Sequence, residues 1–392
     1  MLSKIKKYNL CNGCGLCSSV FGYNKIEIKL NQKGFYEPYE KIALTSKEND
    51  ILKKICPGIH VECRKHKGDW GPLLKIHEGW SANKDIRYKA ASGGAITALA
   101  LYLLEYNKID AILQVGVKDN SYLFNELKIS NSSEDIVKCA QSRYAPCPTM
   151  INLKQILDST NYSFGIIGKP CDIVAVKNFT NEYPQYSNRI KYFLSIFCAG
   201  MPSYNASIKA WKKTGKTEEP IFLKYRGEGW PGYFECRWDD GSSFKLNYAE
   251  SWGKILGPTL GYRCKICPDC IGMAADISVG DSWNTTDGFP DFEDAEGKCF
   301  IMVRTDLGQL LLNDAMKAGY LEIHDLDINK VKVMQTPQYI RRQLEGWRIL
   351  PLQILSKGIL NFKNLNILKR ALSVNIIRGL KECFGSYKRL IK

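Results

Sequence analysis

Histidine is scarce in this chain of 392 residues: there are four, His60, His66, His77 and His324, and none sits in a recognised motif. Any proton transfer therefore falls to tyrosine, lysine, aspartate or water. Long apolar runs are missing as well. The longest, Ala95 to Leu104, falls far short of the roughly 20 residues a membrane-spanning helix needs. Met1 is followed by Lys4, Lys6 and Lys7 with no apolar stretch behind them, so no signal peptide is expected and the expected location is the cytoplasm. Repeats, low-complexity tracts and nucleic-acid-binding modules are absent, despite a formal charge of +15. Acidic residues nearly vanish toward the C-terminus. Between Lys330 and Lys392 only Glu345 and Glu382 stand against fourteen Lys or Arg, so this tail carries most of the positive charge. An apolar content of 45% excludes disorder as a reading of most of the chain.

What the chain has in quantity is cysteine, fifteen residues in all. In a reducing compartment, cysteines in tight C-x-x-C spacing are ligands more often than bridges. Cys11, Cys14 and Cys17 form C-x-x-C-x-x-C, and Cys56-Pro57 follows at a distance. Iron–sulfur clusters take four soft thiolates, and such a triple lets one loop wrap three corners of a 4Fe-4S cube. A ferredoxin with two clusters would carry another cysteine four residues on, where this chain has Phe21. The fourth corner is therefore assigned to Cys56, with Cys63 as the alternative. The intervening loop closes at little cost, because closure entropy grows only logarithmically with length. Zinc, which favours paired knuckles over a triple, is the competing metal. Cys264, Cys267 and Cys270 repeat the spacing, and Cys171 and Cys198 stand at expected strand ends as remote partners. Spacing alone leaves a second cluster and a set of buried core thiols both open.

The expected fold is mixed α/β, or α+β: a ferredoxin-like segment over 1–70, a flavin-binding core in two parts over 71–160 and 161–335, and a basic helical tail over 336–392. Ile26–Leu30 alternates like a strand and Asn31–Gly34 like a turn. Ser46 to Ile55 reads as a helix capped by Ser46. Helices are expected over Ala95–Tyr106, Ile151–Leu157, Tyr204–Trp211 and Leu307–Ala318, the last capped by Asp306. Strands are expected over Asp110–Val115, Ser163–Ile167, Ile190–Phe197, Ile221–Tyr225, Tyr233–Trp238, Ser243–Leu246, Ile277–Gly280 and Phe300–Arg304. Strands alternating with helices imply a layered α/β core. Ser92-Gly93-Gly94 opens a helix, where glycines admit close backbone approach and free N–H groups attract phosphate; taken alone, the feature is better read as a plain helix cap.

Several short motifs, in order and spacing, resemble the coenzyme F420 hydrogenase/dehydrogenase beta-subunit family over roughly residues 70 to 330. They are Ala91-Ser92-Gly93-Gly94 with Thr97, Ser142-Arg143-Tyr144, Gly168-Lys169-Pro170-Cys171-Asp172, Phe197-Cys198, Tyr225-Arg226 with Trp230, Cys264-x-x-Cys267-Pro268-Asp269, and Ala275-Asp276-Ile277-Ser278 with Gly280-Asp281. The resemblance implies a flavoprotein that binds FAD and a 4Fe-4S cluster. It selects Cys171, Cys198, Cys264 and Cys267 as the second ligand set, with Cys270 a bystander or substitute. It also implies flavin contacts from Ser92, Gly93, Gly94, Thr97, Ser142, Arg143, Tyr144, Gly168, Lys169 and Pro170. Asp276, Ser278 and Asp281 are expected to cap strands.

The function implied is an iron–sulfur flavoprotein oxidoreductase. Electrons would run from a ferredoxin-like donor through two 4Fe-4S clusters to FAD, then to an organic acceptor, either deazaflavin or another small substrate. Some relatives appear beside polysaccharide-synthesis enzymes. The alternatives are a non-catalytic electron-delivery subunit serving a partner enzyme and a membrane-associated assembly factor. In the tail, Leu365, Leu368, Leu372, Ile376, Leu380, Phe384, Tyr387 and Ile391 recur at helical spacing. Three readings stand for it: a helix packed on the core with its basic side exposed, a peripheral membrane contact, and a surface for an acidic protein.

Overall fold

A computed structural model describes residues 1–391. Its centre is an eight-stranded sheet. In chain order its strands are β1 (Lys75–Ser81), β2 (Ala111–Lys118), β3 (Ser121–Ser130), β4 (Phe164–Gly168), β5 (Ile190–Ile196), β6 (Ile277–Asp281), β7 (Cys299–Val303) and β8 (Leu321–Asp325), and in space they run β8-β1-β7-β6-β5-β4-β2-β3. The four strands β2, β4, β5 and β6 are parallel neighbours. Antiparallel strands extend the sheet on both sides.

The central residues of the parallel strands are buried and mostly apolar, as strands covered on both faces must be. One face is covered by the helix Ala95–Glu105 (α1) with Asp306–Lys317, which bring Leu99, Leu103, Leu311 and Leu312 onto Ile112, Ile277 and Ile301. The other is covered by Leu153–Ser159 and the helix Pro170–Glu182 (α2), through Leu153, Leu157, Ile173 and Val176 on Phe164, Ile166 and Phe193. A separate three-stranded antiparallel sheet, over Phe222–Lys224, Phe234–Arg237 and Ser243–Leu246, carries Tyr225 and Arg226 toward the end of the main sheet.

The N-terminal segment joins the same body. Cys14, Leu16 and Ile55 belong to the core beneath α2. Met150 N–H donates to the Cys14 carbonyl (2.7 Å). Gly15 takes φ +81°, and a Cβ there would stand 2.9 Å from both Cα and Cβ of Ile151. Gly15→Ala is therefore expected to lower the unfolding free energy by about 1–3 kcal/mol, read as a fall in urea midpoint at unchanged slope. The tail is tied in as well: Asn361–Lys363 pairs in parallel with His60–Glu62. The long helix Thr336–Ser356 (α3) places Ile349 and Leu352 among Leu2, Ile5 and Leu10.

Two caps lie one residue from their expected places. Thr45, not Ser46, caps Ser46–Ile55, in a reciprocal pair with Glu48. Thr305, not Asp306, accepts from Gly308 N–H at the start of Asp306–Lys317. The tail stripe is split between Ile367–Leu372 and a final helix, Ile376–Leu390 (α4).

Candidate metal and cofactor centre

The four parallel strands end together, and two cavities open at their carboxyl ends, the position where open α/β sheets bind ligands. All fifteen cysteines are free thiols. Among the described residues, no three His, Cys, Asp or Glu side chains close to the spacing of a single metal ion. The thiols stand instead in two looser groups.

In the first group the charges of Cys11, Cys14 and Cys56 all oppose ionisation of Cys17, on top of its burial. Burial and the neighbouring Cys56 push Cys11 up to about 12. Gly13 N–H donates to Cys11 Sγ (3.2 Å). Cys63 stands elsewhere, donating to the Asn364 carbonyl (3.0 Å) and lying in the field of Arg342, Arg304 and Arg370. The structure thus gathers Cys56, and not Cys63, with the N-terminal triple.

The second group lines a cavity of about 600 Å³: Cys171, Cys198, Cys264 and Cys267, with Cys11 on the same wall. Cys171 lies in the first turn of α2, just past β4, and Cys198 lies just past β5, so adjacent parallel strands deliver both. Met201 N–H donates to Cys264 Sγ (3.4 Å). Burial pushes Cys198 up to about 12, with Cys264 adding to the rise. Cys270 is fully buried, does not line this cavity and has its Sγ 3.9 Å from the Gln338 carbonyl of α3, although its own carbonyl accepts from Cys198 N–H (2.9 Å). The donor chemistry fits iron–sulfur clusters. Four thiols stand in each group, spaced too widely for one ion. Iron binding would take them as thiolates and release their protons.

Arg263 connects the groups. It adjoins Cys264 in sequence and is 3% exposed. Its Nε donates to the Gly58 carbonyl (2.7 Å) and its Nη2 to the Pro57 carbonyl (2.9 Å), immediately after Cys56. Its charge favours the thiolates of both Cys56 and Cys267. Nothing in the motif spacing signals this role; the only hint is a cation beside a cysteine motif.

The second cavity, about 370 Å³, is lined by Ser92, Gly94, Thr97, Ser142, Arg143, Tyr144, Gly168 and Lys169. The N-terminus of α1 opens onto it through Gly94, Ala95, Ile96 and Thr97, with Gly94 in the left-handed region at φ +75°. A free helix N-terminus without acidic residues in its first turn suits a phosphate group. Gly93 does not line the cavity: it packs on the backbone of Gly297 and Lys298, where a Cβ would stand 2.9 Å from Lys298 Cα. Pro170 faces the cysteine-lined cavity instead. Arg143 reaches the wall, but its guanidinium is engaged by Asn125 Oδ1 (2.7 Å) and the carbonyls of Leu223 (2.9 Å) and Tyr122 (2.5 Å).

The far wall was not foreseen from sequence. Tyr248, Trp252, Trp283 and Phe292 join Tyr144 there. Arg226 and Asp281 line the same cavity as an ion pair: Arg226 donates from Nη1 and Nη2 to the two oxygens of Asp281 (2.9 Å each), and Trp230 Nε1 donates to the same carboxylate (3.0 Å). Asp276 accepts from Phe193 N–H (2.9 Å) and Ser278 from Arg304 Nε (2.8 Å), both internal structural bonds.

Cys198 and Lys169 belong to both cavities. Lys169 Nζ donates to Asp172 Oδ2 (2.6 Å), and Thr149 holds the other oxygen (2.8 Å). Burial alone would pull the Lys169 ammonium down. The Asp172 carboxylate and the Cys171 thiol outweigh it and carry it above its usual value.

Two family models match in succession, the N-terminal part of the coenzyme F420 hydrogenase/dehydrogenase beta subunit over residues 76–154 and its C-terminal part over 162–329. The chain belongs to the coenzyme F420 hydrogenase/dehydrogenase beta-subunit family. Among curated relatives, the coenzyme F420 hydrogenase subunit beta of Methanococcus voltae is 25% identical over 253 residues, 63% of this chain and 82% of that one. The coenzyme F420-dependent sulfite reductase of Methanocaldococcus jannaschii is 23% identical over 368 residues, covering 88% of this chain and 52% of that protein. In a xenon-derivatised structure of the F420-reducing [NiFe] hydrogenase complex from Methanosarcina barkeri, one chain superposes with a TM-score of 0.54 at 21% identity, covering 73% of this chain and 96% of that one. That likeness shows the shared fold. Family membership makes the chain a redox protein of the oxidoreductase type. Among its described residues no helix is long and apolar enough to cross a membrane.

Proposed function

We propose that this chain is an iron–sulfur flavoprotein that passes electrons between a ferredoxin-like protein carrier and a small organic molecule. Cys11, Cys14, Cys17 and Cys56 would hold one 4Fe-4S cluster, and Cys171, Cys198, Cys264 and Cys267 a second. The cavity beside them would take FAD, its phosphates at the N-terminus of α1. The observation that carries this reading is the shared wall: Cys198 and Lys169 face both the thiol-lined cavity and the phosphate-ready one. When bound, clusters supply single-electron transfer, and a flavin supplies exchange between one- and two-electron chemistry.

The chain's own residues perform the remaining tasks. Lys169 keeps its proton at Nζ, in an ion pair with Asp172 that stands between the two cavities. Tyr144, Trp252, Trp283 and Phe292 form an apolar wall that excludes water. Asp172 orients Lys169 and is itself held by Thr149. The acceptor is deazaflavin, by analogy with relatives named for coenzyme F420, or another small substrate such as one used in polysaccharide synthesis. The setting is a reducing cytoplasm. The electron-delivery reading also has support, since the superposed chain sits in a hydrogenase complex.

Anaerobic purification with iron, sulfide and flavin quantitation tests the proposal. About eight iron and one FAD per chain are expected, with the flavin bleached by dithionite and deazaflavin reduced directly. Zinc in place of iron would sink it. Flavin that reduces acceptors only when a partner subunit is added would favour the delivery role.

A further inference from the structure

The final helix is mounted in reverse. A helix that merely covers a core turns its large apolar side chains inward. In α4 the inward face is small and polar. Gly379 lies under the Trp347 ring, where a Cβ would collide. Ser386 Oγ donates to the Arg348 carbonyl (2.6 Å), and Glu382 accepts from Arg348 Nε (2.8 Å). The outward face holds Ile376, Ile377, Leu380, Phe384, Tyr387 and Ile391, each 39–63% exposed. At about 3.6 residues per turn these six fall within roughly a third of the circumference. Leu368 and Leu372, on the preceding helix, are more exposed still.

Exposed Lys381 and Lys388 lie beside this stripe on α4, with Lys369 exposed on the preceding helix, while Arg378 and Arg389 lie farther round. Both acids of the tail are already engaged, Glu382 by Arg348 and Glu345 by Arg370. The stripe is therefore an unpartnered apolar face with a positive border. Its shape follows from packing, since the small inward residues let α4 lie close on α3 and leave the large ones nowhere to go but outward.

We propose that this face is an interfacial helix that rests on an anionic lipid surface. An aliphatic and aromatic stripe beside lysine and arginine is the pattern that sinks to the headgroup–acyl boundary while the cations meet lipid phosphates. A second copy of this chain would bring the same cations against these and be repelled. The inference is independent of the redox reading, because the helix lies outside both cavities apart from Arg389 at the rim of the thiol-lined one.

The test is co-sedimentation of the full chain, prepared anaerobically, with vesicles of phosphatidylglycerol and phosphatidylcholine in equal parts, against phosphatidylcholine alone. Binding to the anionic vesicles only is expected, weakening in about 1 M salt, where the screening length is about 3 Å. Leu380→Glu with Phe384→Glu should reduce binding by about tenfold or more. Both side chains are exposed, so circular dichroism and iron content should not change. Lys381→Glu with Lys388→Glu should act in the same direction. The proposal is overturned by a wild-type chain that stays in the supernatant, by binding indifferent to both variants, or by a concentration-dependent dimer or an acidic-protein complex that the apolar variant dissolves without any lipid binding.

Discussion

Replacing Cys198 with serine is expected to remove about half of the iron and to slow reduction of bound flavin by an external one-electron donor about 100-fold, equivalent to roughly 3 kcal/mol on the barrier. The reasoning is positional. Cys198 lies two residues past β5, lines the same cavity as Cys171 and Cys264, and is the cysteine among the proposed ligands that also faces the neighbouring cavity. Serine preserves volume and hydrogen bonding but offers a hard oxygen where iron prefers sulfur. Two controls make the expectation specific. Cys270→Ser should leave iron content unchanged, because that thiol is turned toward Gln338. Cys63→Ser should do the same, because that thiol bonds to the Asn364 carbonyl. Iron lost from Cys270→Ser and retained in Cys198→Ser would reverse the ligand assignment. The measurements are iron and sulfide content, with stopped-flow bleaching of the flavin.

How much of this was legible beforehand follows from what each element does. Ile26–Leu30 and Tyr204–Trp211 occur with the expected bounds, the first because its sequence alternates apolar with charged residues up to the Asn31 turn, the second because it buries Tyr204, Ser207, Ala210 and Trp211 at helical spacing. Helix α2 gave no such signal. Ile173, Val174, Ala175, Val176 and Phe179 are all buried, so the sequence runs apolar without a stripe. Helix α3 falls in the expected helical tail and runs for 21 residues with Pro351 inside it, a proline the helix absorbs near its C-terminal end. Strand β3 mixes polar with apolar residues at the sheet edge and lies beyond the Asp119-Asn120 turn, so it has no place among the expected strands. The tail stripe was legible as a stripe, but its direction was not. Direction depends on Trp347 sitting above Gly379, a contact between residues far apart in the chain. The cysteines were legible because metal ligands follow spacing rules. The aromatic wall was not, since Tyr248, Trp252, Trp283 and Phe292 converge only through the fold.

Arg263 ties the two thiol groups together, and its removal separates two effects. Arg263→Met strands the carbonyls of Pro57 and Gly58 in a buried setting, at a cost of about 1–3 kcal/mol each when left unpaired. It also deletes a positive charge that both thiol groups feel, Cys56 on one side and Cys267 on the other. With clusters bound, each thiol group carries net negative charge, so the loss disfavours adding an electron to either. A unit charge about 8–15 Å away through an effective dielectric of about 20 is worth roughly 1–2 kcal/mol, or on the order of 50–90 mV for one electron. Arg263→Met is therefore expected to lower the midpoint potentials of both clusters together and to lower stability. Arg263→Lys should keep most of the potential, because the charge remains, and still lose stability, because a single ammonium cannot reach two carbonyls as a planar fork does. Spectroelectrochemical titration beside urea unfolding resolves the two quantities. If Arg263→Met shifts one cluster and not the other, the two thiol groups do not share this charge, and the electrostatic link between them fails.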